Sequence, residues 1–85
     1  MRITTLIDYR PAPQLTAEWG LAFWIEYQDK HILLDTGGGE NFARNAAALG
    51  IYLSRADFAV LSHAHWDHAD GLPAFFRRNP TAPLY

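Results

Sequence analysis

Residues 58–68, Phe58-Ala59-Val60-Leu61-Ser62-His63-Ala64-His65-Trp66-Asp67-His68, join an apolar run to a cluster holding three of the chain's four histidines and an aspartate. Phe58 to Leu61 is long enough for a strand, and four apolar residues in succession predict one covered on both faces. The cluster begins at the C-terminal end of that strand. Zinc and similar cations bind imidazole nitrogens and carboxylate oxygens, and ligands close in sequence lower the entropy of assembling a site. His63 and His65 are two apart and can direct both rings at one ion from a strand end or tight loop. Asp67 and His68 are adjacent and, in an irregular loop, can serve a second ion beside the first. The alternative is that these are solvated loop residues and that Trp66 belongs to the core. Four candidate ligands in six positions make the metal the favoured expectation.

Working outward, Asp35-Thr36-Gly37-Gly38-Gly39 closes a short apolar stretch with three glycines, which let the backbone approach other groups closely. No Gly-Lys-Ser/Thr follows, so this is not a phosphate-binding loop. Glu40 to Leu49 is predicted as a helix, with Phe42, Ala46 and Leu49 on one face and Gly50 as its C-terminal cap. Before the glycines, Leu21, Phe23, Ile25 and Tyr27 alternate with Ala22, Trp24, Glu26 and Gln28, the period of a strand. Gln28-Asp29-Lys30 turns this strand into a second, His31 to Asp35, giving a hairpin. His31 has no neighbouring ligand and reads as a structural histidine. Ile3 to Asp8 is a first strand, and Pro11 and Pro13 make Tyr9 to Thr16 a loop. Beyond the cluster, Gly71 to Arg78 predicts a short helix presenting Leu72, Phe75 and Phe76, with Arg77 and Arg78 at its solvated end. Ala82 to Tyr85 opens a further strand.

Composition limits the alternatives. The 85 residues allow at most one domain, and 49% hydrophobic with 14% aromatic content is that of a globular interior. A chain this short buries only roughly 60 to 65% of its unfolded surface, so its stability margin is thin. The chain has no cysteine, which excludes thiolate metal sites and a disulfide framework. A net charge of −2 with dispersed basic residues argues against a nucleic-acid partner. No segment has signal-peptide or membrane-spanning length, so the expected location is cytoplasmic, with no membrane partner.

Ile32-Leu33-Leu34-Asp35-Thr36-Gly37, a following helix, and Val60-Leu61-Ser62-His63-Ala64-His65-Trp66-Asp67-His68 together resemble the metallo-β-lactamase superfamily. The resemblance implies an α/β (α+β) fold, here the N-terminal half of a four-layer αββα sandwich, with residues 1–85 forming a partial domain. It implies that His63 and His65 ligate a first metal and that Asp67 and His68 ligate a second, Asp67 being the residue nearest the chemistry. Asp35 then supports the metal loop from behind. The metals are expected to be zinc, with manganese or iron as substitutes. A metal-bound hydroxide would attack an ester, thioester, lactam or phosphoester of a small-molecule substrate. Within the superfamily, Glu18-Trp19-Gly20 and Asn45 to Leu53 look most like the branch of dihydropterin-ribofuranosylaminobenzene phosphate synthases.

Two departures from the family pattern qualify these expectations. Asp70 stands where the family usually has glycine. It can bind through water, orient His68, or cap the helix starting near Gly71, and capping is favoured because aspartate is a preferred N-cap. The family also completes its site with a histidine, an aspartate and a histidine from a C-terminal half. Each ion would receive two ligands from this chain, whereas catalytic zinc normally takes three. The second expectation is therefore a catalytically incomplete fragment that binds metal weakly, self-associates, or works with a complementary C-terminal half. The apolar face of Leu21, Phe23, Ile25 and Tyr27 would lack its cover.

Overall fold

The computed structural model of the chain describes residues 1–8 and 20–85. The Tyr9–Thr16 loop with Pro11 and Pro13, and Glu18-Trp19, lie outside the described residues. The elements are β1 (Arg2–Ile7), β2 (Ala22–Tyr27), β3 (Lys30–Leu34), α1 (Asn41–Ala48), a 3₁₀ turn (Leu53–Arg55), β4 (Phe58–Val60), α2 (Trp66–Ala69) and α3 (Leu72–Arg78). Among the described residues the strands form one sheet in the order β1-β2-β3-β4. β1–β2 and β2–β3 are antiparallel, and β3–β4 is parallel.

The β2–β3 hairpin closes on the two residues Gln28 and Asp29, with φ of 47° and 65°. Positive φ at both central positions matches the right-handed twist of the strands, so the expected turn forms although neither residue is glycine. A bulge between Thr5 and Ile7 breaks the period of β1, and the successive residues Leu6 and Ile7 are both 1% exposed. α1 ends as expected: Gly50, at φ 74°, donates its N–H to Ala47 and Ile51 donates to Ala46, the paired bonds of a Schellman cap.

Cross-strand register sorts the two faces of the sheet. Thr4, Trp24, Leu33 and Ala59 lie in one row, and Trp24, Leu33 and Ala59 are buried in a core with Phe42, Ala43 and Ala46 of α1 and Ala74 and Phe75 of α3. The opposite face carries the rows Ile3-Ile25-Ile32-Phe58 and Thr5-Phe23-Leu34-Val60. Ile3 there is 56% exposed, and Phe23, Ile25, Ile32, Leu34, Phe58 and Val60 are only half-buried. Leu21 and Tyr27 are exposed too, so the predicted uncovered face is present. The same observation corrects the expectation that Phe58 to Leu61 is covered on both faces: of β4, only Ala59 is fully buried.

Two further expectations change. Leu49 was expected on the buried side of α1, but the helix stops at Ala48 and Leu49 is 45% exposed, with Ala43 and Asn45 taking the inner face. The buried Asn45 amide donates to the Leu6 carbonyl, tying α1 to the bulged strand. Asp70 does not cap α3: it is the exposed C-cap that follows α2, and the N-cap of α3 is Gly71, followed by Leu72 and Pro73. The chain from 82 to 85 runs beside β4, with Ala59 donating to the Pro83 carbonyl and Tyr85 to that of Ala59, as the start of a further parallel pairing.

Candidate metal centre

Parallel pairing of Leu34 with Val60 brings the C-terminal ends of β3 and β4 side by side. The residues that follow, Asp35 and Ser62, therefore meet at the sheet edge where α/β folds commonly place their sites. Asp35 is 4% exposed and adopts φ 59°, a left-handed conformation that aspartate tolerates better than most residues. That turn directs its carboxylate at the histidine segment. Oδ1 accepts the Ser62 backbone N–H at 2.7 Å. Oδ2 accepts the Ser62 hydroxyl at 2.5 Å and lies 2.7 Å from His68 Nδ1. Because a carboxylate oxygen accepts, the proton of the His68 ring lies on Nδ1, leaving the Nε2 lone pair free for an ion.

The three histidines gather above this carboxylate. Ring centroids of His63 and His65 are 4.6 Å apart and those of His63 and His68 are 4.2 Å apart. His68 Nε2 lies 3.8 Å from Asp67 Oδ2. Asp67 and His68 do not sit in an irregular loop: they belong to the single turn α2, in which the His68 and Ala69 N–H groups bond back to the His65 carbonyl. Among the described residues, no three His, Asp or Glu side chains already converge as a complete ligand set. Imidazole nitrogens with a carboxylate are nevertheless the donors that zinc, manganese and iron accept, and one ring is already held in the ligating tautomer, so the residues fit such an ion.

Thr36 has a role its position beside the motif did not reveal. It is 1% exposed; its N–H donates to the His68 carbonyl at 2.8 Å, and its hydroxyl lies 3.0 Å from that carbonyl and accepts the Gly71 N–H at 2.9 Å. Thr36 thus fastens the end of α2 to the end of β3. The only signal in the sequence was a hydroxyl residue between Asp35 and the glycines. Ser62, likewise unremarked in the sequence, contacts both Asp35 and His63.

Close backbone approach explains two of the glycines at the site, Gly38 and Gly71. A Cβ on Gly71 would lie 2.6 Å from the Gly39 carbonyl oxygen and 2.7 Å from both Phe42 and Thr36. Gly38 sits under the Trp66 ring. That ring is 59% exposed, so Trp66 is not the core residue of the alternative expectation. His31 lies apart from the cluster. Its ring stacks on Trp24 with centroids 5.7 Å apart, and its backbone N–H donates to Asp57. Arg77 pairs with Glu40.

A sheet with helices on one face, and with Asp35 after β3 and three histidines after β4 gathered at the carboxyl ends of two parallel strands, defines a class: layered α/β domains whose candidate metal site is built from strand-end loops. The family model for the metallo-β-lactamase superfamily matches residues 17–85, and the chain belongs to that superfamily. It is 40% identical over 82 residues to a ribonuclease of Thermus thermophilus, covering 94% of this chain and 18% of that protein. Among solved structures it resembles a metal-dependent hydrolase of the β-lactamase superfamily, with TM-score 0.71, 34% identity, and coverage of 82% of this chain and 25% of that one. It also resembles a subclass B3 metallo-β-lactamase of Bradyrhizobium japonicum, with TM-score 0.64, 25% identity, and coverage of 75% and 25%. The chain therefore spans about a fifth to a quarter of the length of these relatives.

Proposed function

We propose that this chain supplies one half of the metal-binding apparatus of a metal-dependent hydrolase, His63 and His65 serving a first divalent ion and Asp67 and His68 a second. The observation that carries this is the buried Asp35 carboxylate, bonded at 2.7 Å to Nδ1 of His68, which turns the other ring nitrogen outward as a ligand. When bound between these side chains, such ions would supply an activated water and polarise the bond under attack. The chain's own residues bind and orient. His63, His65 and His68 donate lone pairs, Asp67 adds a carboxylate beside His68, and Asp35 and Thr36 fix α2 against the strand ends. Zinc is the expected ion, with manganese or iron also compatible with this nitrogen and oxygen donor set.

Among ester, thioester, lactam and phosphoester substrates, phosphoesters are favoured because the relatives similar in sequence include ribonucleases, that of Thermus thermophilus being 40% identical over 82 residues. With a net charge of −2 and dispersed basic residues, this stretch is not itself the surface that would hold a nucleic acid. The finer resemblance to dihydropterin-ribofuranosylaminobenzene phosphate synthases adds little, since Asn45 ties α1 to β1 and Gly20 makes room for the Asp67 carbonyl, which are packing roles. Among the described residues no helix is long and apolar enough to cross a membrane.

The test is hydrolysis of a generic phosphodiester, a thioester and a β-lactam by the full chain with added zinc or manganese. Each is compared with the His63→Ala/His65→Ala variant. Turnover that survives the double substitution would defeat the assignment. A second reading is favoured by the lack of a complete three-residue set among the described residues. In it the chain binds metal weakly and hydrolyses nothing until a complementary segment adds ligands. Metal uptake without turnover distinguishes it.

A further inference from the structure

We propose that Ser62 is a positioning residue that extends the hold of Asp35 to His63, so that one buried carboxylate orients a ligand of each of the two ions. This rests on the metal assignment above. Ser62 Oγ lies 2.5 Å from Asp35 Oδ2 and 2.9 Å from His63 Nδ1. A hydroxyl has one proton to donate and two lone pairs to accept with, whereas a carboxylate oxygen only accepts. The Ser62 proton therefore points at Asp35, and the short O···O separation is that of a hydrogen bond to a carboxylate. A Ser62 lone pair then faces His63 Nδ1, which must carry the ring proton. His63 Nε2 is left with its lone pair, the same tautomer that Asp35 enforces directly on His68.

The serine is itself held. Its backbone N–H donates to Asp35 Oδ1 at 2.7 Å, so main chain and side chain both grip one carboxylate. A rotation of the Ser62 side chain would give up the 2.5 Å bond. His65 has no comparable support: its ring is exposed, has no hydrogen-bond partner among the described residues, and meets His63 edge-on. Within the first pair of ligands, one ring is fixed through Ser62 and the other adapts.

Two measurements on the full chain test this. The first is the histidine tautomer by ¹H–¹⁵N spectroscopy at mildly alkaline pH without metal. His63 is expected to be protonated at Nδ1 in the wild type and in Ser62→Thr, and to shift toward Nε2 protonation in Ser62→Ala, with His68 unchanged. The second is zinc affinity by competition with a chromophoric chelator. Ser62→Ala should lose roughly 10- to 100-fold, the range for removing the partner of a metal-binding histidine, and Ser62→Thr should restore it. An Nε2-protonated His63 in the wild type, or unchanged zinc affinity in Ser62→Ala, overturns the proposal. Equal zinc binding by the wild type and His63→Ala would instead overturn the metal assignment. The tautomer measurement needs no metal and would still decide whether Ser62 orients the ring.

Discussion

Replacing Asp35 by asparagine isolates the carboxylate's contribution from its backbone geometry. Asparagine tolerates the left-handed φ of 59° found here, whereas alanine would add roughly 1 to 2 kcal/mol of backbone strain. The amide has one accepting oxygen where the carboxylate has two. Three donors use the carboxylate: the Ser62 N–H, the Ser62 hydroxyl and the His68 ring. If the amide oxygen keeps the Ser62 N–H, its NH₂ faces His68 Nδ1 and drives the ring proton to Nε2, the atom meant for the metal. Loss of one buried bond to a charged acceptor costs about 1.5 to 3 kcal/mol. In a domain of this size each kcal/mol lowers the melting temperature by about 4 to 8 °C. Metal retention should fall by about 10- to 100-fold, or roughly 1.4 to 2.7 kcal/mol. Thermal unfolding followed by circular dichroism gives the first quantity, and competition with a chelator gives the second. A variant that melts lower yet binds zinc as tightly as the wild type would return Asp35 to the role of a turn-former and refute its support of the loop.

Other substitutions separate the same elements. His63→Ala with His65→Ala should abolish most zinc or manganese uptake while His31→Ala, whose ring stacks on Trp24 and lies 3.9 Å from the Asp57 carboxylate, leaves metal content after dialysis unchanged. Thr36→Val keeps the shape but strands the buried Gly71 N–H, so denaturant unfolding should show a loss of about 1 to 3 kcal/mol. Gly71→Ala drives a methyl into the Gly39 carbonyl and the fully buried Phe42, and should destabilise by about 1 to 3 kcal/mol in the same assay, as overpacking does. The isolated 85-residue chain, with Ile3, Leu21 and Tyr27 exposed on one side of its sheet, should bind a hydrophobic dye or self-associate in light scattering. A dye-silent monomer would argue that the face is adequately covered.

Periodicity and local chemistry made much of the fold legible. Alternation from Leu21 to Gln28 announced β2, the polar stretch Gln28-Asp29-Lys30 its turn, and Gly50 the end of α1, because each depends on residues within a few positions of one another. The four candidate ligands were legible for the same reason, being contiguous. Their support was less so. That Asp35 reaches His68 and Ser62 follows from the parallel register of Leu34 with Val60, a contact across the crossover that no local pattern encodes. Thr36 and Ser62 are ordinary hydroxyl residues in sequence, and gain their roles only when β3 and β4 lie side by side. Tertiary packing also decided the cases where local expectation failed. Asp70 is a good N-cap by type, but it stands as the C-cap of α2, and Gly71 is the position pressed too tightly against Gly39 and Phe42 for any side chain. The apolar run Phe58 to Val60 predicted burial on both faces, but a strand is buried only where something packs on it, and here the helices cover one side. The sequence by itself therefore determined which residues are candidate ligands and which segments extend or coil, since those are short-range properties. The tertiary structure alone decided which hydroxyls and carboxylates orient the ligands, because that depends on register between strands far apart in the chain.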